Sequence, residues 1–166
     1  LMYELLDESI VAQVDWLNVR VVIMDERLGS VPKDSNVMNF KQKFIKRYGI
    51  ELRSLHYFDF KCLNPRLSLE NHINNYSLDI GFFGMGDDGH IAGVFPNSKY
   101  IKHKIRYCEA LVQDEYQRVS MSLDYLRTIR RKILIVNSIS RKEIFYHKDL
   151  SLPVHKINFD EVILYD

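Results

Sequence analysis

The chain has 166 residues, a length that fits one domain. Its hydrophobic share of 46% allows a buried core and argues against disorder over most of the length, and 27% charged residues is ordinary for a soluble protein. A formal net charge of +1 gives no general electrostatic case for nucleic acid or an acidic membrane surface.

Cys62 and Cys108 form neither a metal-type spacing nor a disulfide framework, so buried free thiols in a reducing compartment are expected. No apolar run reaches the roughly 18 residues needed to span a bilayer, and no signal-peptide pattern opens the chain. A cytoplasmic location is the simplest expectation. The chain begins at Leu1 directly within an apolar pattern, which reads as a fragment.

In chain order, Met2, Leu5, Leu6, Ile10 and Val11 fall at helical spacing and predict the tail of an amphipathic helix over 1–13. Val19 to Met24 is a β-branched run of buried-strand length that ends at Asp25-Glu26-Arg27. Residues 28–36 read as loop. A helix is expected over 36–48, with Ser35 or Asn36 as cap and Gly49 as terminator. Leu52 to Phe58 reads as a strand, and Leu69 to Asn75 as a helix capped by Ser68.

Leu78 to Phe83 is the second buried-strand candidate, followed at once by GMGDDGH over 84–90. Ile91 to Phe95 reads as the start of a short helix stopped by Pro96. Strands follow at 105–112, 118–122 and 132–137, with a helix over 123–130. A further helix over 140–147 and a last strand over 161–165 complete the pattern. Alternating strands and helices, with apolar central strands, predict an α/β domain. Its mainly parallel sheet would be covered by helices on both faces. The densest basic stretch, Arg127, Arg130, Arg131 and Lys132, reads as a solvated helix face rather than a binding patch.

Ligands in such sheets bind beyond the carboxyl ends of the strands. Two strand ends here carry polar clusters, Asp25-Glu26-Arg27 and GMGDDGH. In the second, Gly84, Gly86 and Gly89 allow positive φ and let backbone amides face a ligand. His90 would stand at a helix N-terminus, where the dipole favours the neutral imidazole that can take a proton from water. Asp88 is close enough in sequence to orient it. As pattern alone, a glycine-rich turn with a chance histidine remains equally open. A dinucleotide loop fits less well, because the Asp pair would repel pyrophosphate. Arg27 has a plainer alternative too, a surface pair with Asp25 or Glu26. His56, His72, His103, His147 and His155 show no metal-ligand spacing.

Several segments together resemble one family. Val14-Asp15-Trp16, VRVVIMDER and Ser35-Asn36 resemble its Trp, strand, Asp-Glu-Arg and Ser-Asn signature. GMGDDGHIAGVFPN resembles its Gly-x-Gly-x-Asp-Gly-His motif followed by Phe-Pro. Arg118-Val119-Ser120 resembles its Arg-x-Thr/Ser strand, Lys142 its helix-head Lys, and Leu152-Pro153 its C-terminal Leu-Pro. On these residues the chain resembles the 6-phosphogluconolactonase branch of the glucosamine-6-phosphate isomerase/6-phosphogluconolactonase superfamily. Arg27 and Phe95 stand where deaminases carry an aromatic residue and a Glu.

The resemblance implies a Rossmann-like single domain over 1–166. It also implies hydrolysis of 6-phospho-D-glucono-1,5-lactone to 6-phosphogluconate, a pentose phosphate pathway step, with no metal and no organic cofactor. His90 would activate water, Asp88 would orient the His, and Arg27 would position substrate and offset oxyanion charge. Arg118 and Lys142 would grip the phosphate, with Gly86, Gly89 and Asp25 completing the substrate-binding set. The expected partner is a small phosphosugar, not nucleic acid or membrane.

Three departures stand out. The family's opening strand and Gly-Gly-Ser/Thr-x-Pro phosphate loop have no counterpart, so the domain is expected to be N-terminally truncated. A homo-oligomer or partner chain would then cover the exposed sheet edge. Ile139 replaces a Gly three residues before Lys142, and Gly93 replaces a Ser. Two rival functions therefore stand beside the lactonase. One is an amino-sugar-phosphate deaminase. The other is an inactive or partner-dependent remnant that only binds sugar phosphate.

Overall fold

The computed structural model describes residues 7–28, 32–59, 69, 73, 76–98 and 116–165, and the backbone of 107–113. The chain forms two compact units. One comprises Leu1–Asn74 with Val112–Arg118, the other Asn75–Leu111 with Val119–Asp166.

In the first unit, α1 (Glu8–Val11) is capped by Asp7, whose carboxylate accepts the Ser9 amide. Strand β1 (Arg20–Val22) pairs in parallel with β3 (Ser54–His56). Between them lie β2 (Asp25–Leu28) and α2 (Asn36–Phe40), which continues as a π-helical stretch, Lys41–Lys46. The expected Ser35 cap is present, its Oγ accepting the Met38 amide at 3.2 Å, and Gly49 ends the helix at φ +62°. The π stretch closes on a bond from the Ile50 amide to the Ile45 carbonyl. Its buried face presents Phe40 and Phe44, stacked at 5.0 Å. Trp16 meets Phe44 edge-on at 5.2 Å, and Val11 and Ile50 complete this small core.

The second unit is organised by a parallel three-stranded sheet in the order β4 (Ile80–Gly84), β7 (Arg131–Val136), β8 (Glu161–Leu164). Leu134 and Val136 of β7 are fully buried. Helix α3 (Leu123–Arg127), capped by Ser122, adds the buried Leu126, and Ile129 follows it. Each such side chain contributes roughly 1.5–3 kcal/mol by leaving water. Helix α4 (Ile139–His147), capped by Ser138, leads from β7 to β8. The remaining sheet has the order β2, β6 (Tyr116–Met121), β5 (Tyr107–Gln113).

The chain is thus mixed α/β, with its small sheets mostly parallel. Several expectations change. Asp25-Glu26-Arg27 does not merely follow a strand: these residues, with Leu28, are a strand of a different sheet. Strand β4 is not covered on both faces. Among the described residues it is the edge of its sheet, and Ile80 and Phe82 are about half exposed (52% and 50%) while Phe83 is buried. Of the basic stretch, Arg127, Arg130 and Arg131 are exposed as expected, but only Arg127 is on a helix, and Arg131 and Lys132 belong to β7. Arg127 pairs with Asp124, Arg130 with Asp79, Arg131 with Glu161 and Lys132 with Asp160. Of the helix expected over 69–75, only Leu69 and Ile73 are helical within the described residues; Ser68, Cys62, His72 and His103 lie outside them. No helix among the described residues is long and apolar enough to cross a membrane.

Candidate active site

Because β4 and β7 are parallel neighbours, the loops that follow them leave the sheet at the same end. The loop after β4 carries His90. Its Nδ1 lies 2.6 Å from Asp88 Oδ1, and its backbone amide donates to the same oxygen at 3.1 Å. A carboxylate accepts, so in the neutral ring this contact favours the tautomer with its proton on Nδ1 and its lone pair on Nε2. The ring stacks obliquely on Phe95 at 4.4 Å, which fixes its plane. The imidazole is 26% exposed and therefore open to a small solute.

The glycines explain how the ring fits. A Cβ on Gly86 would collide with His90 Nδ1 and Cε1 and lie 2.8 Å from Asp88 Oδ1. Only a bare α-carbon leaves space for the imidazole at this point. Gly89 is required for a second reason: its φ is +80°, and a Cβ there would press on Leu152 at 2.9 Å.

Two expectations about this loop are overturned. The amides of Gly86 and Gly89 do not face a ligand. They donate to the His90 and Gly86 carbonyls, both at 3.0 Å, which holds the turn closed. Of Gly84, Gly86 and Gly89, only Gly89 has positive φ. Nor does a helix follow His90. Ile91 and Val94 exchange backbone hydrogen bonds, and Ala92 adopts φ +50°, which a right-handed helix does not allow. With no helix, no helix dipole acts on the imidazole, and what Asp88 fixes is the orientation of the ring.

Lys142 lies in the first half of α4, its amide bonded to the Ser138 carbonyl. The preceding residue, Arg141, was not singled out from sequence. Its Nε donates to Asp87 Oδ1 at 2.9 Å and its Nη2 to Oδ2 at 3.4 Å. Hydrogen bonding from Arg141, followed by its charge, holds the Asp87 carboxyl below the usual carboxylate range. No local pattern signals a contact between residues 54 positions apart.

In the first unit, Glu26 is 2% exposed and accepts four hydrogen bonds. Oε1 takes the amides of Arg27 and Asn36, both at 2.8 Å; Oε2 takes Ser35 Oγ and the Val37 amide, both at 2.9 Å. The carboxylate thereby satisfies donors at the start of α2. Asn36 Nδ2 donates to the Asp25 carbonyl and to Oδ2, at 2.9 and 3.0 Å. Arg27 Nη1 donates to the Asp34 carbonyl at 2.5 Å, and Asp34 Oδ2 accepts the Tyr116 hydroxyl at 2.8 Å. Arg118, in β6, is buried at 6% exposure. The structure therefore gathers His90, Asp88, Gly86 and Gly89 into one loop of the second unit, with Lys142 on a helix of that unit. Asp25, Arg27 and Arg118 belong to the first.

Comparison with known families matches residues 1–160 to the family described as glucosamine-6-phosphate isomerases/6-phosphogluconolactonase. The chain belongs to this family. A probable 6-phosphogluconolactonase of Dictyostelium discoideum is 24% identical over 183 aligned positions, covering 94% of this chain and 74% of that protein. Other curated relatives are spanned over less than two thirds of their length. Among solved structures, the 6-phosphogluconolactonase of Thermotoga maritima superposes with a TM-score of 0.75 at 19% identity, over 95% of this chain and 77% of that one. A monomeric glucosamine-6-phosphate deaminase gives a TM-score of 0.76 at 15% identity, over 98% and 79%. At these identities the structural likeness speaks for the fold of the isomerase/lactonase family, shared by both activities.

Proposed function

We propose that the chain is a 6-phosphogluconolactonase-like hydrolase that opens 6-phospho-D-glucono-1,5-lactone to 6-phosphogluconate. The observation that carries this reading is the Asp88–His90 contact seated over Gly86. Nε2 takes a proton from water as the oxygen attacks the lactone carbonyl, and the same proton can later serve the leaving ring oxygen. Asp88 orients the imidazole and offsets its positive charge. Arg27 positions substrate and stabilises the developing oxyanion, while Arg118 and Lys142 hold the phosphate. Gly86, Gly89 and Asp25 shape the binding surface. The proposal requires neither metal nor organic cofactor. It retains, for residues 1–166, a Rossmann-like single domain with a mainly parallel sheet. It also retains a cytoplasmic setting.

The likeness to a deaminase keeps a second reading in play, release of ammonia from glucosamine 6-phosphate. One experiment separates them: the purified chain is given each substrate in turn. Acid production from the phospholactone above its spontaneous rate, with no ammonia from the amino sugar, supports the lactonase. Ammonia release reverses the assignment. Binding of 6-phosphogluconate without turnover of either substrate identifies a remnant that only binds sugar phosphate.

A further inference from the structure

The loop that carries His90 contains glycine at 86 and 89 and lies beyond the end of its strand, so its backbone has much freedom to lose. From outside the loop, the Val154 amide donates to the Gly89 carbonyl at 3.1 Å, and the charged grip on the stretch before His90 comes from one side chain. Arg141, in the first turn of α4, reaches Asp87 with Nε and Nη2, at 2.9 and 3.4 Å. Its third nitrogen, Nη1, donates to Asn137 Oδ1 at 2.5 Å, and its backbone amide to the Ser138 cap at 3.2 Å. Ser140 Oγ adds a long contact to Asp87 Oδ1 at 3.5 Å. The guanidinium is thus held at its own base before it reaches across. A fork anchored in this way loses less side-chain freedom on pairing than an isolated surface ion pair does. Asp87 adjoins Asp88, which holds the imidazole, and Arg141 adjoins Lys142, assigned above to the phosphate.

We propose that Arg141 is a positioning residue for His90: by gripping Asp87 it ties the loop after β4 to the head of α4 and keeps the imidazole over Gly86. Its kinetic consequence rests on the lactonase reading given above; its structural consequence does not. Lysine cannot replace it fully, because an ammonium offers no fork to span both carboxylate oxygens.

The test compares wild type with Arg141→Ala, Arg141→Lys and Asp87→Asn. For Arg141→Ala and Asp87→Asn, kcat on the phospholactone is expected to fall about tenfold with KM changed less than about twofold, since a displaced base loses rate rather than binding. Arg141→Lys should lie between these and wild type. Independently of activity, amide hydrogen exchange at Gly86 and Gly89 should speed up by about fivefold in Arg141→Ala, while β7 amides keep their wild-type rates. Unchanged exchange at both glycines overturns the proposal, as does an equal rise across β7, which would mean general destabilisation. A rise in KM with kcat intact also overturns it, by making Arg141 a binding group. If the wild-type chain leaves the lactone at its spontaneous rate, the lactonase reading fails, and the exchange comparison still decides whether Arg141 holds the loop.

Discussion

Glu26 and Asp88 are both carboxylates in polar clusters near strand ends, yet their surroundings differ in kind. Glu26 is 2% exposed, and both its oxygens are committed to donors around the start of α2. The Asp88 side chain is 48% exposed and directs one oxygen at both the amide and the ring of His90. A carboxylate filled with backbone donors has no capacity left for chemistry and contributes to stability. A carboxylate that holds an imidazole by one nitrogen leaves the other nitrogen basic. Within one acidic-looking motif set, the number and identity of the donors distinguish the residue that maintains the fold from the residue that assists a reaction.

The sharpest way to break this contrast is at Gly86. A methyl group there occupies the space of the imidazole, so Gly86→Ala should reduce kcat by about a hundredfold, as expected for a misplaced catalytic group. Thermal unfolding should change little by comparison. The reverse pattern, intact rate with lost stability, would mean that the glycine serves folding alone. Next in size is Glu26→Gln. Its amide nitrogen would face buried N–H donors, and urea unfolding should show a loss of about 2–3 kcal/mol. A stability within experimental error of wild type would show that the four hydrogen bonds contribute little. The smallest effect is expected at Ala92, a non-glycine residue at φ +50°. Ala92→Gly removes that strain at some cost in chain entropy, for a net gain of up to about 1 kcal/mol. A loss of stability would indicate that the methyl group's packing outweighs the backbone term.

Legibility from sequence divides along the same physical lines. The apolar runs around 80, 133 and 162 announce strands, and the Ser35 cap and Gly49 stop are local chemistry that a sequence displays directly. The Asp88–His90 pair is legible for the same reason, since two residues of separation put it within reach of any tight turn. The turn after His90 is not legible because Ile91 to Phe95 is apolar, and apolarity alone does not separate a short helix from two residues exchanging hydrogen bonds. Strand β2 escaped because three of its four residues are charged, and the buried environment that accommodates Glu26 is assembled from Ser35, Asn36 and Val37, nine to eleven positions later. Arg141 escaped because its partner is brought close only by the parallel pairing of β4 and β7.

The whole account turns on a basic ring nitrogen at position 90. The direct test is initial-rate hydrolysis of 6-phospho-D-glucono-1,5-lactone by wild type and by His90→Ala, each corrected for spontaneous opening, with both proteins shown to be equally folded. The excess rate should be present in wild type and absent in the variant. Equal excess rates in the two proteins would place the chemistry elsewhere.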